Sequence, residues 1–180
     1  MAKKEIILGV TGSIAAYRAC DIVNGLRKSG LNVTVIMTKE AKEFITPLTL
    51  QTLSRNKVYS EMFESPSDWS PVHTSLADMA DAILIAPACA NVIGKLANGI
   101  CDDLLTCVVA ASSVKVLIAP AMNEKMYSNP AVQDNIKKLK ARGVEFIGPV
   151  KGPLACGCQG VGHIADSASI VSEVKKAVKG

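Results

Sequence analysis

Short apolar runs alternate along the chain with longer segments in which apolar residues recur every three or four positions. The short runs predict β-strands at 6–10, 33–37, 83–86, 114–119 and 144–147. The longer segments predict helices at 14–28, 40–54 with a break at Pro47, 76–80, 91–98, 102–110, 130–142 and 167–179. Turn-forming residues predict loops at 61–71 and 148–162. Strands that alternate with helices indicate βαβ units and a parallel sheet.

The composition favours a sheet that is buried on both faces. Hydrophobic residues make up 49% of the 180 positions but aromatic residues only 4%, so the apolar content is mostly Ala, Val, Ile and Leu. Aliphatic strands of this kind suit a parallel sheet that has helices on both faces. The chain is long enough for one complete core and short for two domains. We therefore predict a three-layer α/β sandwich that forms a single domain over 1–180.

Charge and cysteine content argue against several classes of function. The net charge is +4, and the scattered Lys and Arg residues form no patch with interleaved aromatics, so nucleic-acid binding is not expected. The spacing of the six Cys matches no zinc pattern and the chain has two His, so no metal site is predicted. The sequence shows neither an apolar run of membrane-spanning length nor a cleavable apolar segment at its start. We expect a reduced, cytoplasmic protein that is not bound to a membrane.

Polar and small residues follow the predicted strands at the sheet edge where open α/β folds bind ligands. Asn123 follows the strand at 114–119, where an amide is well placed to hold a ligand group. Gly12 and Ser13 begin a helix, where close backbone approach and free N–H groups suit an anion, although a simple helix cap explains Ser13 equally well. Thr38 adds a hydroxyl at the same edge. The small residues at 88–91 leave room for a flat ring, and Asn91 could instead cap the helix that follows.

His73 and Cys156 are further candidates for chemistry. His73 precedes a predicted helix, a position at which a histidine is more often structural than catalytic. Cys156 lies in a Gly- and Pro-containing loop, where an accessible thiol is more reactive than a buried one. Cys158 could pair with Cys156, act as a second thiol or have no role. With Asn123, these residues supply the imidazole, thiol and amide that a redox decarboxylation of a thiol substrate needs.

Several motifs occur in the order that characterises one family of flavin enzymes. They are GSIAAY at 12–17, His73, PACAN at 87–91, NGICDDLLT at 98–106, PAMNEKM at 120–126 and ACG at 155–157. Through these motifs the chain resembles the homo-oligomeric flavin-containing cysteine decarboxylases over nearly its whole length. The resemblance is strongest to the members that act on phosphopantothenoylcysteine. The PAMN stretch together with the upstream His is specific to the family, whereas the Gly-Ser turn alone is not.

The resemblance implies a flavodoxin-like, Rossmann-like fold that binds FMN. Asn123 matches the residue that holds the substrate carboxylate, and Met122 beside it matches a substrate-binding position. His73 matches the active-site base, and Cys156 matches the thiol that donates a proton to the product. The positions that match flavin contacts of the family are Gly12, Ser13, Thr38, Ala88, Cys89, Ala90, Asn91 and Ala121.

The implied reaction converts 4′-phosphopantothenoylcysteine to 4′-phosphopantetheine in coenzyme A biosynthesis. In this scheme the cysteine moiety is oxidised to a thioaldehyde, carbon dioxide leaves, and the resulting ene-thiol is reduced with a proton from Cys156. The resemblance thus implies a cytoplasmic carboxy-lyase that takes a small-molecule thiol and assembles as a homo-oligomer, either a trimer or a dodecamer.

The chain departs from the family pattern in ways that leave alternatives open. Cys89 and Val92 replace a common Ser and Thr, which leaves open how the flavin phosphate is held. Cys158 replaces a common acidic residue, and His163 replaces a common Arg or Lys. The alternative functions are oxidative decarboxylation of a peptidyl C-terminal cysteine, flavin prenylation, FMN binding without catalysis, and an α/β domain without flavin. Cys156 argues against the peptide substrate, and the PAMN stretch argues against prenylation.

Overall fold

A parallel sheet of six strands lies at the centre of the structure, a computed structural model that describes residues 3–63, 71–153, 157 and 159–179. The strands lie in the order β3-β2-β1-β4-β5-β6, and every pairing is parallel. Their bounds are β1 (Glu5–Val10), β2 (Asn32–Met37), β3 (Val58–Tyr59), β4 (Ala82–Ala88), β5 (Lys115–Pro120) and β6 (Glu145–Phe146). The predicted parallel α/β sheet is confirmed, and the two-residue strand β3 is an addition to it.

Helices cover both faces of this sheet. The helices α1, α2 and α8 pack on one face, and α3, α4, α5 and α7 pack on the other. Their bounds are α1 (Ala19–Lys28), α2 (Pro47–Ser54), α3 (Val72–Met79), α4 (Ala90–Asn98), α5 (Leu104–Ala111), α6 (Glu124–Tyr127), α7 (Pro130–Ala141) and α8 (Ser167–Ala177). Short 3₁₀ turns precede α1 at Ile14–Arg18 and α2 at Lys39–Glu43. In the described ranges, none of the helices is long and apolar enough to cross a membrane.

Side-chain alternation along the strands divides the apolar interior into two cores. In β1, Ile6 and Leu8 point to the core under α1, α2 and α8, whereas Ile7 points to the core under α3, α4, α5 and α7. All three side chains are fully buried. Because both faces are covered, the strands appear in the sequence as continuous aliphatic runs, which is why they could be predicted from it.

The segment predicted as a loop at 148–162 is instead largely an antiparallel hairpin. Its strands are β7 (Val150–Pro153) and β8 (Gln159–His163), and they form a separate two-stranded sheet. Gly152 pairs with Gly160 in this hairpin. The prediction was wrong because the strands are built largely from Gly, Pro and polar residues and show no alternation of large apolar side chains.

The start of α3 also differs from the prediction. His73 was expected to precede a helix, but it lies within the first turn of α3, since Pro71 occupies the N-cap position and the helix begins at Val72. The chain returns from α3 to the amino end of β4, so the start of this helix lies toward the carboxyl edge of the sheet.

The strand order creates a crevice at the carboxyl edge between β1 and β4. From β1 the chain proceeds outward to β2 and β3, whereas β4, β5 and β6 extend in the opposite direction. The connection that follows β1 and the connection that follows β4 therefore lead toward opposite edges of the sheet. A reversal of this kind is where open α/β sheets bind ligands.

Candidate active site

Thr11 ties together the two strand ends at which this crevice opens. Its side chain is fully buried. The hydroxyl donates a hydrogen bond to the carbonyl oxygen of Pro87 at 2.8 Å and accepts one from the backbone N–H of Cys89 at 2.9 Å. This hydroxyl, together with the hydrogen bond from the Thr11 N–H to the same carbonyl oxygen at 3.3 Å, joins the end of β4 to the end of β1 at the floor of the crevice.

Replacing Thr11 by Val is expected to lower the free energy of unfolding by about 1–3 kcal/mol, because the buried N–H of Cys89 loses its acceptor while the side-chain shape is nearly kept. Urea denaturation of the purified protein measures this loss. Thr11→Ser is the matched control, since it keeps the hydroxyl and should recover part of the stability. A Val variant as stable as the unchanged protein would show that the hydroxyl bridge contributes nothing.

A first cleft of about 560 Å³ lies above the end of β4. One wall follows β1 and the other follows β5, so the floor at Cys89 lies between them. The described residues that line it are Gly12, Ser13, Ile14, Ala15, Tyr17, Arg18, Cys89, Ala121, Met122, Asn123, Met126, Pro153, Gly162, His163 and Ile164. Six residues that were singled out from the sequence therefore meet here: Gly12, Ser13, Cys89, Ala121, Met122 and Asn123.

The described lining residues of the first cleft include one permanent positive charge, the guanidinium of Arg18, and no acidic side chain. This guanidinium lies over the ring of Tyr17, at 5.1 Å from the ring centroid, and 3.8 Å from the carboxylate of Asp21. A cleft with mostly apolar walls and a cation at its rim favours a ligand that has an apolar body and an anionic group.

Asn123 stands at the β5 wall with a fixed orientation. It is the N-cap residue of α6, and its side-chain oxygen accepts a hydrogen bond from the backbone N–H of Lys125 at 2.9 Å. Since the oxygen accepts this helix bond, the amide nitrogen is the side-chain atom suited to donate to a ligand carboxylate.

The β7–β8 hairpin closes against the same wall. The backbone N–H of Met122 donates to the carbonyl oxygen of Gly162 at 3.1 Å, and the N–H of Val161 donates to the carboxylate of Glu124 at 3.0 Å. A Cβ atom added at Gly162 would lie 2.1 Å from the carbonyl oxygen of Met122, so this close approach requires glycine. Cys156 and Cys158 lie outside the described residues, between β7 and β8 in the sequence.

A second cleft of about 620 Å³ lies next to the first, beyond the end of β2. Gly12 of the first cleft lies against Glu40 of the second, since an added Cβ atom at Gly12 would lie 2.5 Å from the Cβ atom of Glu40. Thr38 lines the second cleft and not the first, and its hydroxyl accepts the N–H of Ala41 at 3.4 Å. The predicted edge hydroxyl therefore lies in a neighbouring compartment of the same region.

Lys95 pairs with two of the four carboxylates that line the described part of the second cleft, the other two being those of Glu40 and Glu61. Its ammonium group lies 2.8 Å from Asp102 and 3.1 Å from Asp103. The hydrogen bond between Lys95 and Asp102 raises the pKa of Lys95 and lowers the pKa of Asp102. Asp103 also caps α5 by accepting the N–H of Thr106 at 2.8 Å. These contacts keep the α4–α5 connection in place beside the cleft.

Several predicted site residues line neither cleft. His73 is half-buried in the first turn of α3, Ala88 is buried at the end of β4, and Ala90 is half-buried at the start of α4. Asn91 does not cap α4, as the sequence allowed; Cys89 occupies the N-cap position and Asn91 is exposed in the first turn. In the part of the chain that the structure describes, no group of three or more His, Cys, Asp or Glu side chains could hold a metal ion.

Comparison with known proteins decides the family. The model of the family described as Flavoprotein matches residues 1–179. The chain belongs to the flavoprotein family. Two solved structures of related proteins share the fold of this flavoprotein: a mutant PPC decarboxylase complexed with pantothenoylaminoethenethiol and the FMN-dependent cysteine decarboxylase SpaF. The first has a TM-score of 0.87 at 30% identity and covers 99% of this chain and 100% of that chain. The second has a TM-score of 0.87 at 29% identity, with coverages of 99% and 97%.

Sequence relatives of this flavoprotein point in the same direction. The "Probable phosphopantothenoylcysteine decarboxylase" of Streptococcus mutans is 46% identical over 175 residues, which is 96% of this chain and 98% of that protein. The "Coenzyme A biosynthesis bifunctional protein CoaBC" of Bacillus subtilis is 47% identical over 173 residues, which is 96% of this chain. The match covers 43% of the bifunctional protein, so the chain spans less than half of its length. The predicted family and fold are confirmed.

Proposed function

We propose that this chain is an FMN-dependent carboxy-lyase that converts 4′-phosphopantothenoylcysteine to 4′-phosphopantetheine. The observation that carries the proposal is the position of Asn123. Its side-chain amide caps helix α6 on the wall of a cleft that has no acidic side chain among its described lining residues. The names of the relatives in Streptococcus mutans and Bacillus subtilis support the same reaction and its role in coenzyme A biosynthesis. That role supports the cytoplasm as its location, and the match of the family model to residues 1–179 supports one functional domain over 1–180.

The residues around the two clefts fit FMN. Small residues at Gly12, Cys89 and Ala121 leave room for a planar ring, and the hydroxyl of Ser13 is suited to hold phosphate oxygens. The hydroxyl of Thr38 lies among four carboxylates and is suited to the ribityl hydroxyls. Cys89 contributes its N–H to the Thr11 bridge, so the backbone at the floor stays in place although Cys89 lacks a hydroxyl. When bound, FMN would supply the oxidation that makes the cysteine carboxylate a leaving group and the reduction that afterwards saturates the ene-thiol.

The protein side of the reaction is orientation and proton transfer. The amide nitrogen of Asn123 donates to the substrate carboxylate without placing a full positive charge beside it. A cation at this point would stabilise the carboxylate in the ground state and oppose the loss of carbon dioxide. We assign proton donation to Cys156, which follows β7 in the sequence, and general-base chemistry to His73. Ile14, Tyr17 and Met126 form an apolar rim around the first cleft.

A second copy of the chain completes the site in this proposal. His73 does not line the first cleft of its own chain. Apolar side chains at the rim remain exposed in one copy, with Ile14 at 57%, Tyr17 at 51% and Met126 at 49% of their surface. A homo-oligomer, either a trimer or a dodecamer, would cover these side chains and bring a His73 from another copy toward the cleft.

The absorbance spectrum and product mass of the purified protein test the function. We expect bound or readily acquired FMN, and release of carbon dioxide with a saturated thiol from 4′-phosphopantothenoylcysteine. An ene-thiol product from a peptide that ends in cysteine would show that the chain is instead a peptidyl-cysteine decarboxylase. A protein that takes up no FMN, or that holds FMN without turnover of either substrate, would contradict catalysis of this kind.

A further inference from the structure

His163 is an imidazole in the first cleft that the proposed reaction does not use. It ends β8, and its side chain is half-buried among the lining residues of the cleft. Its Nδ1 atom lies 3.0 Å from the carbonyl oxygen of Pro153 on the opposite strand of the hairpin. The imidazole is therefore held across the hairpin and is not free to rotate as a surface side chain would be.

Gly152 lies directly against the ring of His163. A Cβ atom added at Gly152 would lie 3.0 Å from Cγ of His163 and 3.3 Å from its Cδ2 atom. The ring thus packs on a backbone that has no side chain, and any residue larger than glycine would push it away. Two independent contacts, one polar and one steric, position the same imidazole.

The contact with Pro153 also determines which ring nitrogen is available. A carbonyl oxygen can only accept, so Nδ1 carries the hydrogen and donates to it. Among the described residues, Nε2 has no hydrogen-bond partner. In the imidazolium form Nε2–H is a charged donor, the kind of group that makes strong hydrogen bonds to phosphate oxygens.

The surroundings of His163 favour an anion as its ligand. Arg18 also lines the cleft, 3.8 Å from the carboxylate of Asp21, and none of the described lining residues of the cleft is acidic. The charged groups on the elements packed against β8 are Glu124 and Lys125 on α6 and Lys151 on β7. The Glu124 carboxylate already accepts the N–H of Val161 at 3.0 Å, so it is engaged with the backbone of the hairpin.

We propose that His163 contacts the phosphate of the substrate and makes the first cleft selective for the phosphorylated compound. The inference rests on the proposed function, in which the substrate has two anionic groups. Asn123 serves the carboxylate and the hydroxyl of Ser13 is assigned to the flavin phosphate, so the substrate phosphate is the anion that remains for a positioned imidazole. His163 is thus a specificity residue that acts in ligand binding and has no part in the decarboxylation step.

Calorimetric titration of the FMN-loaded protein with 4′-phosphopantetheine and with pantetheine tests this proposal without requiring turnover. His163→Ala should weaken binding of the phosphorylated compound about tenfold or more and leave pantetheine within about twofold, because one charge-assisted hydrogen bond is lost. His163→Arg should retain most of the preference for the phosphorylated compound, since it restores a cationic donor.

Gly152→Ala serves as the geometric test. It keeps the imidazole but displaces it, so it should weaken binding of 4′-phosphopantetheine in the unchanged background and have little further effect when combined with His163→Ala. Equal weakening for both compounds, an Arg variant that behaves like the Ala variant, or unchanged binding in His163→Ala would each overturn the proposal. Decarboxylase turnover, measured separately, shows whether the proposed function itself fails.

Discussion

Asn123→Asp is expected to abolish decarboxylation while the protein stays folded and retains its flavin. The Asp side chain brings a carboxylate to the place where the substrate carboxylate is held. Two like charges about 4 Å apart near a protein surface repel by about 4 kcal/mol. This corresponds to about a thousandfold loss in kcat/KM. Asp is as good a helix N-cap as Asn, so the bond to the N–H of Lys125 and the start of α6 should persist.

Asn129→Asp is a closely matched control for this variant. Asn129 also caps a helix with its side-chain oxygen, which accepts the N–H of Ala131 at 3.0 Å at the start of α7. It is exposed and lines neither cleft, so the same chemical change there should leave turnover unaltered. Carbon dioxide release and the flavin absorbance are measured for both variants. Near-normal turnover by Asn123→Asp would eliminate Asn123 as the carboxylate contact.

The central sheet could be predicted from the sequence because burial on both faces imposes a simple pattern on it. The run from Ile6 to Val10 is aliphatic at every position except Gly9, and Gly9 faces Leu105, whose side chain would clash with an added Cβ atom. Helix ends were equally visible, because Gly30 and Gly143 end helices with positive φ angles that favour glycine. The strands depend on burial on both faces, and the helix ends depend on a local positive φ angle. Each requirement limits which residue types can occur, so each can be recognised in the sequence.

The site was predictable only where it follows from the sheet. Gly12 and Asn123 follow β1 and β5 within three residues, and parallel strands bring their carboxyl ends to one edge, so their approach follows from topology. The hydrogen bonds made by Thr11 and His163 carry no comparable signal. They are made with Pro87 and Pro153, which are distant in sequence or lie across a hairpin that no apolar pattern indicates.

Gly162→Ala is expected to reduce kcat/KM by about a hundredfold with little change in global stability. The added methyl group would lie 2.1 Å from the carbonyl oxygen of Met122, which is a backbone atom and cannot rotate away. The hairpin must therefore move from the β5 wall and lose the bond from the N–H of Met122 to the carbonyl oxygen of Gly162. A displacement of about 1 Å in a catalytic arrangement can cost about a hundredfold in rate.

The stability of the central sheet should be largely unaffected by Gly162→Ala, because the hairpin forms a separate sheet. Gly94→Ala is the control: a Cβ atom there would meet only Asn135, at an ordinary 3.6 Å, and alanine within α4 should raise helix stability by up to about 1 kcal/mol. Thermal unfolding and steady-state kinetics are compared for the two variants. Full activity in Gly162→Ala would show that the close contact between the hairpin and Met122 is not required for catalysis. The shape of the first cleft would then not depend on this contact.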